Sequence, residues 1–279
     1  MTTRNYYTPK GGLPAQGESC EDKSRFTSSY LMIDKRALTD ITSSLLPEWA
    51  KTRLWVLARP MTGFSETFSH YIMEVSPGGG SSSPEPDPLA QGVLFVVDGM
   101  GKIEIDGSPY DVTAGSYIYL APGAKWTFVN VSASTVTFHW LRKRYQKASG
   151  ISMPTSFITH DDAVTPTPMP DTDGTWATSR FVDPDDLSHD MHVNIVSFEP
   201  SGHIPFAETH VMEHGLYMLE GRADYYVNQD WIPVEAGDYL WLRAFSPQAC
   251  IAKGSGKFRY LLYKDVNRHM PLTPGGLGA

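Results

Sequence analysis

The sequence of 279 residues predicts an all-β protein built from two tandem β-barrels. Short runs of alternating apolar and polar residues, bounded by glycine or proline, recur along the chain, and no long helical period occurs. The 24 glycines and 21 prolines supply the many turns that such folds need. Glycines of the first half recur 122 residues later, which indicates an internal repeat. The corresponding pairs are Gly80 and Gly202, Gly99 and Gly221, and Gly115 and Gly237.

The first half of the chain is predicted to hold an arm and a barrel. Residues 1–50 mix turn residues with one strand-like run, and we interpret them as an arm that packs on a barrel or on a neighbouring subunit. Residues 51–147 carry β-rich runs such as RLWVLAR and FSHYIMEV, which end at prolines. Two Asp-Gly pairs, beginning at Asp98 and Asp106, predict hairpin turns within this first barrel.

The second half is predicted to hold a linker and a second barrel. Residues 148–190 are rich in Pro, Thr, Asp and Ser, which indicates a partly extended linker on the surface. His160 and His189 lie in this linker and are predicted to be exposed. Residues 191–279 repeat the strand pattern and are predicted to form the second barrel.

A candidate metal site lies in the stretch GHIPFAETHVMEHGLYMLEG, residues 202–221. Its Glu208, His210 and His214 are spaced so that they point towards one place, between two glycines. Two glycine-bounded blocks joined by a short hairpin are the signature of the cupin barrel, whose ligand spacing is kept here while Glu and His exchange places. Gln248 takes the position of the last cupin histidine. Because neutral imidazole and carboxylate together suit a divalent transition metal, this pattern favours a metal site over a polar strand with two structural histidines.

The first barrel is predicted to lack this metal site. The residues that precede the four ligands by 122 positions are Pro86, Pro88, Gly92 and Trp126. None of them is a side-chain metal ligand, so the first barrel should be structural, shape an interface, or lend residues to a substrate pocket. Glu85, Asp87 and Gln91 could be displaced ligands, but prolines beside acidic residues favour a rigid, exposed loop.

Composition and termini exclude several other classes of protein. The net charge of −8 and the pI near 5.6 predict no binding of nucleic acid or of an anionic membrane. The basic run 142–144 is interpreted as a solvated strand end. The N-terminus is polar and no run approaches a membrane span, so a soluble, cytoplasmic protein is expected. Cys20 and Cys250 are predicted to be buried thiols without a disulfide.

The last strand-like run, KFRYLLYKDVNRH, contains a candidate substrate-binding lysine. Alternation places Tyr260 and Lys264 on the same face of the strand. A lysine inside a barrel is costly without an anionic partner, and therefore indicates an anionic substrate. An edge lysine that extends its amine to water fits the spacing of Lys264 equally well.

A family resemblance resolves this alternative. The run ETHVMEHGLYMLEGRADYYVNQDWIPVEAGDYLWLRAFSPQA, with YLLYKDVNR after it and YYTPKGGLP, RLWVLARP, PEPDP and GVLFVVDG before it, closely resembles the (S)-ureidoglycine aminohydrolases. These are bicupins of allantoin breakdown, also called allantoin-catabolism or glyoxylate-induced proteins. The resemblance covers almost the whole chain. It implies a small-molecule enzyme that uses Mn²⁺, or another divalent metal, to hydrolyse (S)-ureidoglycine to (S)-ureidoglycolate and ammonia.

The resemblance also implies the roles of individual residues. The implied metal ligands are Glu208, His210, His214 and Gln248. The implied substrate contacts are Glu208, Tyr225, Gln248, Tyr260 and Lys264, of which Glu208 and Lys264 are the implied catalytic residues.

Two other classes of function are compatible with the sequence. A metal-dependent bicupin oxygenase or decarboxylase that acts on a small carboxylate would usually have three histidine ligands, whereas this site has two. A non-enzymatic binding bicupin would be expected to lose its ligands in both halves, whereas only the first half has lost them. Mn, Fe, Co, Ni and Zn all accept such ligands. The family habit of cupins and the long arm predict a homo-oligomer.

Overall fold

The computed structural model describes residues 4–9, 23–38, 43–60 and 63–265. Within these ranges the chain consists of β-strands and connecting turns, with 3-10 turns at Lys35–Ala37 and Asp161–Ala163. The all-β prediction is therefore confirmed. None of the described residues forms a helix that is long and apolar enough to cross a membrane.

The described residues form 21 strands. The arm contains β1 (Arg25–Phe26), β2 (Tyr30–Ile33) and β3 (Ser43–Ser44). The first barrel region contains β4 (Ala50–Ala58), β5 (Ser69–Ser81), β6 (Ala90–Asp98), β7 (Met100–Ile105), β8 (Ser108–Thr113), β9 (Ser116–Leu120), β10 (Trp126–Val129) and β11 (Val136–Arg144). The segment predicted to be a linker contains β12 (Phe157–His160), β13 (Thr167–Pro168) and β14 (Trp176–Arg180). The second barrel region contains β15 (Met191–Phe198), β16 (His214–Glu220), β17 (Arg222–Val227), β18 (Asp230–Glu235), β19 (Tyr239–Leu242), β20 (Gln248–Lys253) and β21 (Phe258–Asp265).

The glycine repeat extends to the strands themselves. Strands β7 and β8 recur 122 residues later as β17 and β18, with the same lengths. The turn that follows β6 requires glycine, as does its counterpart after β16: Gly99 and Gly221 both have a φ of +76°, and a Cβ would lie only 2.4 and 2.1 Å from a carbonyl oxygen. The prediction of two tandem barrels is therefore confirmed.

Each barrel has its own core, and a third core joins the two barrels. In β6, Leu94 and Val96 pack inside the first barrel, whereas Val93 and Phe95 pack against the second barrel. The corresponding strand β16 behaves in the same way, because successive side chains of a strand point to opposite faces. As a result, one face of each central strand is available to line a barrel interior.

The sheet of each barrel is extended by a strand from a distant part of the chain. Strand β2 of the arm pairs with β19 of the second barrel, with Leu31 opposite Trp241. At the equivalent place in the first barrel, β12 pairs with β9, with Phe157 opposite Tyr119. In addition, β14 pairs with β15 of the second barrel along its full length. The segment predicted to be a linker therefore contributes a strand to each barrel and covers what would be open sheet edges.

Three residues predicted to be on the surface are buried between the barrels. Lys143, from the basic run, is 3% exposed and its amine forms ion pairs with Asp190 and Asp265. His189 is 6% exposed, and Gln91 is buried where its amide donates to Asp190. These exposure predictions were wrong because the outer face of each strand is covered by the other barrel, which the pattern of a single strand does not reveal. Cys250 is buried, as predicted, and Cys20 lies outside the described residues.

Asp34 links two segments of the arm to each other. Its buried carboxylate accepts hydrogen bonds from the backbone N–H groups of Lys23 and Arg36, at 3.0 and 2.9 Å, and from the Arg36 guanidinium at 2.6 Å. Burial by itself would raise the pKa of Asp34, but these donors outweigh it and lower the pKa to about 2. The ionised form of Asp34 therefore stabilises the folded arm.

We expect Asp34→Asn to lower the free energy of unfolding at pH 7 by about 2 kcal/mol. The stabilisation from a lowered carboxyl pKa is complete above the ordinary value of 3.8 and is lost as the pH falls through 2, so the deficit should shrink by about half at pH 3. Urea unfolding at pH 7 and pH 3 measures it. Asp111→Asn, at an exposed ion pair with Lys102, is the control and should cost less than about 1 kcal/mol. A deficit that is the same at both pH values would contradict the assignment.

Candidate active site

The predicted ligands lie at one end of the second barrel. His214 begins β16, Gln248 begins β20, and Glu208 and His210 lie in the loop before β16. The backbones of Glu208 and Gln248 exchange two hydrogen bonds, of 2.9 and 2.8 Å. The carbonyl of His210 accepts a hydrogen bond of 2.7 Å from the backbone N–H of Phe245. Main-chain contacts therefore hold the loop against the strand that carries Gln248.

The side chains of these four residues approach one another. Gln248 Nε2 donates to Glu208 Oε1 at 3.0 Å, and the same oxygen lies 3.5 Å from His210 Nε2. The rings of His210 and His214 are nearly perpendicular, with centroids 5.1 Å apart. Among the described residues, no three His, Cys, Asp or Glu side chains are grouped closely enough to hold a metal ion by themselves. Instead, the Glu208 carboxylate is hydrogen-bonded to the Gln248 amide.

The donor set nevertheless fits a divalent metal. His214 is 1% exposed, and its Nε2 has no hydrogen-bond partner among the described residues. Burial and the neighbouring His210 lower the pKa of His214 to about 4, so its imidazole is neutral at pH 7 and can coordinate a metal. Two imidazoles, a carboxylate and a carboxamide oxygen are ligands that Mn²⁺ and similar ions accept.

The two predicted tyrosines, Tyr225 and Tyr260, lie in the core of the second barrel, next to Gln248. The Tyr225 hydroxyl donates to Gln248 Oε1 at 2.8 Å and so fixes the orientation of the carboxamide. The rings of Tyr225 and Tyr260 meet edge to face at 6.3 Å. Burial raises the pKa of both phenols well above the ordinary value, so both remain protonated hydrogen-bond donors.

Lys264 lies on the strand next to the one that carries His214. On β21 it lies directly opposite His214 of β16 on one side and His192 of β15 on the other. Burial lowers the pKa of its amine, and the nearby Glu208 carboxylate partly opposes this. Within the described part of the chain, no carboxylate lies within 4.0 Å of the Lys264 amine. The amine is therefore available to an anionic ligand.

Comparison with known proteins identifies the family. Residues 71–142 and 194–263 each match the cupin domain family. The crystal structure of a Pseudomonas aeruginosa protein described as glyoxylate-induced is 54% identical, has a TM-score of 0.92, and covers 98% of this chain and 100% of its own. The curated (S)-ureidoglycine aminohydrolase of Arabidopsis thaliana is 31% identical over 89% of this chain and 81% of its own length. The chain belongs to the (S)-ureidoglycine aminohydrolase family.

The family relationship extends to bacteria and confirms the predicted fold. The curated (S)-ureidoglycine aminohydrolase of Escherichia coli is 28% identical over 83% of this chain and 87% of its own length. Both the resemblance and the bicupin architecture predicted from the sequence are confirmed. The seven predicted site residues all lie in the second of the two cupin barrels.

In this family member, the equivalent end of the first cupin barrel carries ion pairs. Arg142, the counterpart of Lys264, donates through two guanidinium nitrogens to Glu85. The neighbouring Arg144 donates to Asp87 at 2.6 Å. Pro86 and Pro88 are exposed, as predicted for this loop, whereas the two carboxylates are half-buried. Strand β11 carries Arg142 and Arg144, and their ion pairs hold this loop. Alternation along the strand alone could not predict that contact.

Phe245 has a strained backbone at the edge of the site. Its φ is +68°, in the left-handed region, where its counterpart in the first cupin barrel is Gly123 with a φ of +77°. The Phe245 ring is 67% exposed, while its N–H holds the carbonyl of His210. A bulky residue in this conformation costs about 1–2 kcal/mol.

We expect Phe245→Gly to raise the free energy of unfolding by about 0.5–1 kcal/mol, because the relief of strain exceeds the extra chain entropy of glycine. Urea unfolding of the purified variant measures this. Phe206→Gly, at an exposed phenylalanine of the same rim without a positive φ, is the control and should give no gain. A loss of stability in Phe245→Gly would show that the ring makes contacts that offset the strain.

Proposed function

We propose that this bicupin hydrolyses (S)-ureidoglycine to (S)-ureidoglycolate and ammonia in allantoin catabolism, with Mn²⁺ as its metal. The observation that carries the proposal is the approach of two histidines, a carboxylate and a carboxamide at one barrel end, in a chain whose relatives bear this enzyme's name. In the reaction, a C–O bond to water forms, the C–N bond to the amino group breaks, and ammonia leaves.

The side chains of this pocket have distinct roles in the proposal. Held by Glu208, His210, His214 and Gln248, the metal would supply Lewis acidity to water or substrate. Lys264 pairs with the substrate carboxylate and so fixes which face of the chiral carbon is presented. Tyr260 donates a hydrogen bond to the substrate, and Tyr225 holds the carboxamide of Gln248 in place. Glu208 is the carboxylate best placed to accept a proton.

The test is ammonia release from freshly generated (S)-ureidoglycine. Metal-stripped protein is assayed with and without added Mn²⁺, alongside a protein-free sample that gives the spontaneous decay, and the chirality of the product is followed. We expect Mn²⁺-dependent release with (S)-ureidoglycolate as the product. Decay at the protein-free rate, with metal verified in the protein, would reject the proposal and favour an oxygenase or a binding protein.

Two further predictions concern the protein as a whole. A homo-oligomer is supported by the family habit of cupins and the long arm, and a cytoplasmic location by the free thiol of Cys250. Both stay predictions. Light scattering of the purified protein tests the first of them.

A further inference from the structure

Strands β15 and β14 form a wall of the second barrel beside Lys264. In β15, Val196 and Phe198 pack inside the second barrel, whereas Val193 and Ile195 pack between the barrels. Alternation therefore places His192 on the inner face of β15. Because residues directly opposite on neighbouring strands share a face, His192, Lys264 and His214 form a row across three adjacent strands.

His192 is a buried polar side chain without a use in the proposed reaction. It is 7% exposed, and its Nε2 has no hydrogen-bond partner among the described residues. Burial, followed by Lys264, His189 and Arg180, lowers the pKa of His192 to about 4, so the ring is neutral at pH 7. A buried imidazole nitrogen without a partner is costly unless a ligand satisfies it.

Arg180 brings a second positive charge to this wall. It lies opposite Asn194, which is two residues along β15 from His192, so Arg180 is diagonal to His192 on the same face. Arg180 is close enough to Lys264 to act on it electrostatically. Burial is the main cause of the lowered pKa of the Lys264 amine, and the positive charge of Arg180 lowers that pKa further. The half-buried Arg180 makes a weak side-chain contact, from Nη2 to the Met169 sulfur at 3.7 Å.

Neither of these two cations forms an ion pair with a described carboxylate. In the described part of the chain, neither Arg180 nor Lys264 has a carboxylate within 4.0 Å. By contrast, the counterpart of Lys264 in the first barrel, Arg142, is neutralised by Glu85. Two half-buried cations on one face of a barrel repel each other, and their arrangement is favourable when an anion lies between them.

We propose that Arg180 and His192 complete the substrate pocket: Arg180 shares the substrate carboxylate with Lys264, and His192 hydrogen-bonds the uncharged ureido group. The pocket would thus select small carboxylates that also carry an uncharged hydrogen-bonding group. This inference rests on the proposed function for the identity of the substrate, but it concerns binding and can be measured without turnover.

The experiment uses two ligands that lack the amino leaving group. N-carbamoylglycine carries the ureido group and the carboxylate, whereas N-carbamoylglycinamide replaces the carboxylate with an amide. Binding of each to the full-length protein with Mn²⁺ present is measured by calorimetry. We expect Arg180→Met to weaken binding of N-carbamoylglycine by about tenfold or more, while leaving N-carbamoylglycinamide within about twofold of wild type.

The His192 variants test the second half of the inference. His192→Ala should weaken binding of both ligands by about fivefold, because both carry the ureido group. His192→Gln places an amide nitrogen near the position of Nε2 and should restore binding. A general loss of structure would not be rescued in this way. Arg222→Met, at an exposed arginine beyond the opposite end of β16, is the matched control and should bind both ligands like wild type.

Each other outcome overturns the inference. If Arg180→Met weakens the binding of both ligands equally, or leaves both unchanged, Arg180 does not bind the carboxylate. If the wild-type protein binds neither ligand, the proposed pocket is rejected. Failure of this inference is distinguishable from failure of the proposed function. Ammonia release with no Arg180 effect would leave the hydrolase standing, whereas Arg180-dependent binding without ammonia release would reject only the hydrolase.

Discussion

Glu208→Gln is expected to reduce kcat/KM for ammonia release from (S)-ureidoglycine by about 10³-fold or more. The substitution keeps the size of the side chain but removes the negative charge and the proton acceptor. It also places an amide opposite the Gln248 amide, which now donates to Glu208 Oε1 at 3.0 Å. Steady-state assays with measurement of bound manganese by mass spectrometry check both effects.

The matched control for this substitution lies in the first barrel. Glu85 is one residue before the position equivalent to Glu208, and it pairs with Arg142 rather than with histidines. Glu85→Gln should therefore leave manganese content and kcat/KM within about twofold of wild type, although the loss of a partly buried ion pair lowers stability. If Glu208→Gln retained both metal and activity, the second barrel would lose its assignment as the catalytic one.

Lys264→Met is expected to raise KM for (S)-ureidoglycine by about 30-fold or more and to leave the manganese content unchanged. Methionine fills a similar volume without the charge, so the substrate carboxylate would lose its partner in a half-buried pocket. The metal ligands belong to other strands and loops, so their positions should be preserved. Substrate-dependence curves and metal analysis separate these two effects.

Lys257→Met is the control for Lys264→Met. Lys257 precedes the same strand but is exposed, where it pairs with Glu199 at 2.7 Å. Its substitution should leave KM unchanged. Kinetics of Lys264→Met identical to those of wild type would remove Lys264 from the site, and would also leave Arg180 as the remaining cation of the pocket.

The structure shows how one fold supports two different barrel ends. In the second barrel, Lys264 lies opposite His192 and His214, and no carboxylate of the described residues, Glu208 included, is within 4.0 Å of its amine. In the first barrel, the same position holds Arg142, and the loop that would carry ligands instead supplies Glu85 as its counterion. Arg142 and Glu85 satisfy each other's charges, so this end needs no metal or substrate anion. The difference is consistent with a structural role for the first barrel.

The sequence by itself determined the fold class and the repeat, and it predicted the residue set of the candidate site. Glycines at fixed spacing mark turns that no other residue can form, as the short Cβ distances at Gly99 and Gly221 demonstrate. Alternation along a single strand was sufficient to place Tyr260 and Lys264 on one face. These signals are local, because each depends on residues within one turn or one strand.

Only the tertiary structure decided which strands become neighbours. It placed β2 of the arm on the second barrel, buried Lys143 between the barrels, and brought Arg180 and His192 beside Lys264. His192 and Lys264 are far apart in the chain, and the linker-like composition around Arg180 gave no sign that this residue belongs to a barrel strand. Strand pairing depends on how complete faces pack together, and the periodicity of any one segment carries no information about its partner.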